Sequence, residues 1–285
     1  MIREQANAAG QSFALAGGAP GPRAGHKSLW TRFAASTLLV KIAGGVFLLV
    51  VSEIAVRLLA PAYVSRPSGV FRVLPQTLTN PAVLSGAAIT LGAVLQGSVV
   101  ALVSGMVVGL LMGRIRLVDR LLRIYVDGLS AMPMVAIVPL LTIWFGFTSW
   151  ARLATVIFAA FFPIAINMNS GARAVPQGYL EVARSCGASA WHTLFGVTLP
   201  ASMPYLLSGI RLALGRALVG AVVAEFYVSV DGLGYFILFQ TRTFHHNEAF
   251  VAVLLLALVA VGVDALINGI IRRYMPWYRA GERKR

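Results

Sequence analysis

Five ionisable residues fall inside stretches that are otherwise apolar: Asp127, Arg211, Arg216, Glu225 and Asp264. A charge at the centre of a bilayer costs roughly 2.5–3.5 kcal/mol or more, so such residues pair with one another or line a polar path. Arg211 and Arg216 are five positions apart, diverge by roughly 140° on a helix and cannot share a face. Arg211 falls near a span end, where a long side chain carries its charge to the interface. Arg216 lies deeper and is expected to pair with Asp127 or Asp264 on a neighbouring helix. Facing a path instead, it would favour an anionic solute. Glu225 closes its apolar stretch beside a glycine-broken segment, and a structural hydrogen-bonding role is assigned to it. The three acids would alternatively form the relay of a proton- or ion-coupled secondary transporter, driven by an imposed gradient without ATP.

Other chemistry is poorly served. His245, His246 and Glu248 are too few converging ligands for a metal, and none is expected. Cys186 is the single cysteine and reads as a small packing residue. No serine–histidine–acid arrangement and no carboxylates spaced for acid–base work occur. There is no G-x-x-x-x-G-K-[ST] loop, so ATP is not bound by that route. The expectation is a transport subunit, without enzymatic activity or cofactor of its own.

Spans must hold these residues. Hydrophobic residues make up 58% of the 285 and charged residues 12%, with mean hydropathy +0.78. An ordinary soluble domain carries about 45–50% apolar and about 25% charged residues, so the solvent here is lipid. Six stretches approach the roughly 20 apolar residues a spanning helix needs: 37–59, 83–113, 122–145, 153–172, 201–226 and 249–271. The fold class expected is an all-α membrane protein of six transmembrane helices. Residues 1–35 read as a disordered cytosolic tail, 36–60 as the first span, 83–272 as the transmembrane domain and 273–285 as a basic tail. No internal repeat is apparent, which weighs against repeat-built secondary transporters. The 227–248 connection holds Asp231-Gly232-Leu233-Gly234-Tyr235-Phe236, too short to span, and is expected to dip back as a partial helix.

Lysines and arginines set the orientation. With the N-terminus inside, the inner segments hold sixteen of them and the outer segments four. Both termini and residues 178–200 are then cytosolic, in a cell inner membrane. The net charge of +14 is accounted for by topology, and no nucleic-acid partner is expected.

The cytosolic stretch 178–200 carries its own grammar. Pro176 suits the first turn of a helix, and Glu181 lies early in that helix, where the dipole favours an anion. Gly187 supplies the left-handed geometry that stops it. A second short helix is expected near 189–195, and Pro200 sets the entry into the next span. Two short helices at a glycine corner can push into a groove on a partner.

The spacing E-V-A-x-x-x-G-x9-V-x-L-P, carried by Glu181, Ala183, Gly187, Leu199 and Pro200, resembles the EAA loop of binding-protein-dependent ABC importer permeases. Val182 and Val197 replace the usual alanine and isoleucine. The resemblance runs from about residue 85 to 280. Residues 131–139, Trp144-Phe145-Gly146, Ala224-Glu225 and Gly232-Leu233-Gly234-Tyr235 are similar to the nitrate/sulfonate/taurine branch. The resemblance implies a core of five or six spans, paired as a dimer and most simply a homodimer. It implies cytosolic ABC ATPase subunits that bind the ATP, with Glu181, Ala183 and Gly187 as contact residues and Leu199 and Pro200 fixing the loop to its span. An extracytoplasmic solute-binding protein would deliver the substrate, a small anion or, as in other relatives, a neutral vitamin precursor.

Overall fold

A computed structural model describes residues 37–274 except 60, 62, 63, 229 and 230. The expected tail 1–35, and 273–285 beyond its first two residues, lie outside the described residues. Among the described residues eleven α-helices follow in order: α1 Thr37–Leu59, α2 Pro67–Leu78, α3 Pro81–Arg114, α4 Arg116–Ser130, α5 Met134–Phe145, α6 Ser149–Ala174, α7 Gln177–Ser185, α8 Ala190–His192, α9 Leu199–Val228, α10 Leu233–Arg242 and α11 His246–Tyr274. A π-helical turn, Thr193–Thr198, joins α8 to α9. Among the described residues no strand occurs. Five helical stretches among the described residues are long and apolar enough to cross a membrane: 39–59, α3, α6, 190–228 and 246–269.

The core is built on α6, clasped between α3 and α9. Lipid tails are as apolar as leucine, so close packing rather than water exclusion must join helices in a bilayer, and small residues permit it. On α3, Gly97, Ala101, Gly105, Gly109 and Gly113 recur every four residues. A Cβ on Gly105 would stand 3.0 Å from Ile164, and one on Gly109 2.8 Å from Met168. Gly209 and Gly220 of α9 approach the other side of α6 in the same way, at Asn167 and Ala159. Ala160, Ile164 and Met168 of α6 fill the seam between them.

The stretch expected as a third span, 122–145, is not one helix. α4 and α5 meet at a 107° bend, so a sixth span exists only if the bent pair is counted as one. Pro133 follows Met132 and disfavours helical geometry there. α4 itself has three faces. Val118, Leu122 and Val126 pack on α3 and α6, Leu117, Leu121 and Ile124 are exposed apolar residues, and Arg116, Arg120, Arg123 and Asp127 form a polar stripe.

The glycine-broken outer segment is the partial helix α10. Its Leu233 and Phe236 are buried against Val83 of α3 and Ala252 of α11.

Candidate functional site

The loop expected to bend at Gly187 does so. Gly187 has φ +71°; the Ala188 N–H bonds the Ala183 carbonyl at 3.0 Å and the Gly187 N–H bonds that of Arg184 at 2.9 Å. This double bond pattern with a left-handed residue ends a helix sharply. Pro176 stands just before α7 instead of inside it. Ser189 restarts the chain as an N-cap, its hydroxyl accepting the His192 N–H at 3.3 Å. The second helix is not separate, however. It runs through the π-helical turn into α9, giving one helical rod from Ala190 to Val228. The Leu199 N–H reaches back five residues to the Leu194 carbonyl, and Pro200 has no N–H to return the ladder to its usual register. A π turn at a functional junction is a common placement.

Glu181 and Gly187 are exposed on this loop. Ala183 is not: it and Leu180 are buried at 9% and 3% exposure, so Ala183 packs the loop and does not offer a surface. The outward face consists of Tyr179 and Val182, with Trp191 and Phe195 stacked at 5.2 Å between ring centres. Large exposed apolar side chains on a polar loop mark a contact surface. Sequence spacing passed over all four, because a motif of small residues and turns draws attention to the corner and away from its flanks. Leu199 is half-buried and Pro200 exposed where the rod enters its apolar part.

The intramembrane charges are sorted differently from the expectation. Asp264 pairs with Arg211, not Arg216, at 3.3 Å. Asn268 joins them, donating to Asp264 at 2.8 Å and accepting from Arg211. Asp127 lies on the polar stripe of α4, one turn before the break after Ser130. Asp119 on the same helix bonds Arg123 at 2.9 Å and Arg173 of α6 at 2.5 Å. The Arg123 hydrogen bond, aided by Arg173, holds its carboxyl below the usual carboxylate range. Arg216 is exposed and pairs with no carboxylate among the described residues. It borders a cavity of about 330 Å³ with Ser130, Met132 and Met134 at the helix break and Phe158 and Phe162 of α6.

Glu225 is fully buried. Its carboxyl accepts the Thr90 hydroxyl at 2.8 Å and the Gly234 N–H at 2.7 Å. Thr90 in turn accepts the Leu233 N–H at 2.9 Å. Arg152 lies 3.8 Å from Glu225 and 2.7 Å from Asp231. The first amides of α10 thus close on a carboxyl group, the arrangement a helix dipole favours. Gly232, at φ +101°, leaves room for that approach. Arg152 counted in the sequence only as one of four outer charges; nothing in its spacing tied it to Glu225.

Known proteins match both the sequence and the fold. A family model described as the binding-protein-dependent transport system inner membrane component matches residues 103–280. The chain belongs to this family. Relatives include the putative aliphatic sulfonates transport permease SsuC of Bacillus subtilis strain 168. That protein is 34% identical over 62% of this chain and 64% of its own length, so the chain spans just under two thirds of it. The formylaminopyrimidine transport permease ThiX of Halalkalibacterium halodurans is 27% identical over 81% and 92%. The taurine transport permease TauC of Escherichia coli K12 is 26% identical over 78% and 82%. Among solved structures, an inward-facing MetNI methionine ABC transporter shares the fold, with TM-score 0.58 and 22% identity over 67% of this chain and 94% of that one. The chain is a permease subunit of the ABC importer type.

Proposed function

We propose that this permease, in the inner membrane with both termini cytoplasmic, passes a small anionic solute of the sulfonate class. A solute-binding protein delivers the solute outside, and a cytosolic ATPase pair seats the two Gly187 corners of a homodimer. Arg216 is the observation that carries the anion. It lies twelve residues before the end of α9 at Val228, about 18 Å along a helix axis at 1.5 Å per residue. That depth is well inside a hydrocarbon core about 30 Å thick. An exposed arginine there is stable only beside water or a counter-charge, and its neighbours among the described residues supply no carboxylate. The break at Ala131–Pro133 borders the same cavity, as irregular backbone at membrane depth does when it lines a cavity. The first turn of α5 adds the positive end of a helix dipole. Relatives named for aliphatic sulfonates and taurine share the sulfonate group in their named solutes, whereas ThiX is named for a pyrimidine.

Proteoliposomes containing the permease, its ATPase and its binding protein test this reading. ATP-dependent uptake of labelled taurine or an alkyl sulfonate is expected, falling at least tenfold in Arg216→Gln at unchanged membrane insertion. Equal uptake by wild type and Arg216→Gln removes the anion reading and favours a neutral substrate. Uptake driven by a pH gradient without ATP removes the coupling reading.

A further inference from the structure

On the side of α7 turned away from Tyr179 and Val182 lies a second, larger cavity of about 1080 Å³. Its walls are the end of α3, the start of α4, the end of α6 and the inner face of α7, where Leu180 and Arg184 lie one turn apart. Arg114, Arg116, Arg120, Arg173 and Arg184 border it. Among the lining residues Asp119 is the only acid, and Arg123 and Arg173 already occupy it. Arg114 spends one N–H on the Ala172 carbonyl at 3.2 Å. Among the described residues no carboxylate pairs with Arg114, Arg116, Arg120 or Arg184. The hydroxyl of Thr198, fully buried on the same wall, has no hydrogen-bond partner.

Positive-inside topology asks only that arginines occur on inner segments. It does not ask that four of them, from three helices, converge without an acid on one concave wall. Guanidinium groups so arranged repel one another and match the geometry of an oxyanion, which takes paired N–H bonds from each. An orphaned buried hydroxyl on that wall is a further donor awaiting an acceptor.

We propose that this cavity binds a phosphate-type oxyanion, which bridges Arg184 of the loop to Arg116 and Arg120 at the α3–α4 corner. The anion then ties the loop to the end of the core. Two sources share this chemistry: the headgroup of an anionic phospholipid, whose first acyl carbons would meet Leu111, Met112 and Leu194, and a free inorganic oxyanion. Basic pockets at the cytosolic ends of spans are suited to the first. Binding here requires neither transport nor a particular substrate at Arg216, so the two proposals fail separately.

The full-length chain is studied by itself. In neutral detergent stripped of lipid, inorganic phosphate is titrated by calorimetry. In nanodiscs, thermal unfolding is compared between phosphatidylcholine alone and phosphatidylcholine with phosphatidylglycerol, and native mass spectrometry reads retained lipid. The expected result is saturable binding of at least one probe and a higher Tm with it. Losing two arginines in Arg116→Gln/Arg184→Gln should weaken binding about thirtyfold, while Arg72→Gln, on the opposite side, leaves it unchanged. Retention of phosphatidylglycerol alone identifies a lipid site; saturable phosphate binding identifies a free-anion site. Thr198→Val, which changes no charge, should lower affinity severalfold and serves if the double variant misfolds. Binding of neither probe, or binding indifferent to both Arg116→Gln/Arg184→Gln and Thr198→Val, overturns the proposal.

Discussion

The carboxyl group of Glu225 accepts the N–H of Gly234, nine residues further along the chain, at 2.7 Å. Between them the chain leaves α9, passes Gly232 and turns back as α10. The contact therefore closes the outer connection onto the helix it came from. Thr90 holds the closure to α3 through two bonds of its own, one to the carboxyl and one from Leu233. Three elements, α3, α9 and α10, are joined through one buried acid. That is why α10 can dip back into apolar surroundings with its first amides satisfied.

Removing the acid should open this closure. Glu225→Ala leaves the Gly234 N–H, the Thr90 hydroxyl and the Arg152 charge without their shared partner. Each buried donor left unsatisfied costs about 1–3 kcal/mol, while Arg152 keeps Asp231 at 2.7 Å. Glu225→Gln does better but turns one N–H against another at Gly234 or Thr90. Limited proteolysis from the outer side should cut α10 fastest in Glu225→Ala, next in Glu225→Gln and slowest in wild type. Equal rates in all three would mean that the apolar seat of Leu233 and Phe236 suffices to hold α10.

The loop is predicted to fail in coupling before it fails in folding. Gly187 holds φ +71° and its N–H bonds Arg184. Proline there can take neither the angle nor the bond. Alanine loses only the angle, at about 1–2 kcal/mol. Glu181→Arg reverses a charge on an exposed position. Gly187→Pro and Glu181→Arg should insert in membranes at wild-type levels yet lose co-purification with the ATPase or ATP-driven uptake. Gly187→Ala should retain part of both. Val182→Asp tests the newly seen outward face and should weaken ATPase association, while full association in all of these variants would move the contact elsewhere.

The corner at Gly187 and the partial helix α10 were legible in the sequence because each depends on short-range backbone chemistry. A glycine after an amphipathic turn, or two glycines around one leucine, leave few geometries open. The charges were less legible. Asp127, Arg211, Arg216 and Asp264 could be recognised as residues needing company, but pairing depends on which helix faces which, and nothing local encodes that. Arg211 therefore holds Asp264, contrary to the expectation. The bend within the third expected span was illegible for a related reason. Residues 122–145 are apolar enough on average, and the average hides the three faces of α4 and the break before Pro133. Ala183 shows the converse limit, since a motif position can matter by packing inward.

Gly109 tests whether the clasp around α6 depends on small residues. A Cβ at Gly109 would run into the Ala165 carbonyl oxygen and stand 2.8 Å from Met168, both closer than real side chains approach. Overpacking of this type costs about 1–3 kcal/mol. In Gly109→Val, α3 must move away from α6, and the seam formed by Ala160, Ile164 and Met168 loosens. Gly92 lies on the same helix with nothing within 4 Å of an added Cβ, so Gly92→Val is the matched control. In detergent, Gly109→Val should lower Tm by several degrees, and Gly92→Val should leave it within about one degree, since surface changes usually stay within about 0.5 kcal/mol. Equal Tm values for the two would show that helix contact in this protein does not require the small-residue seam.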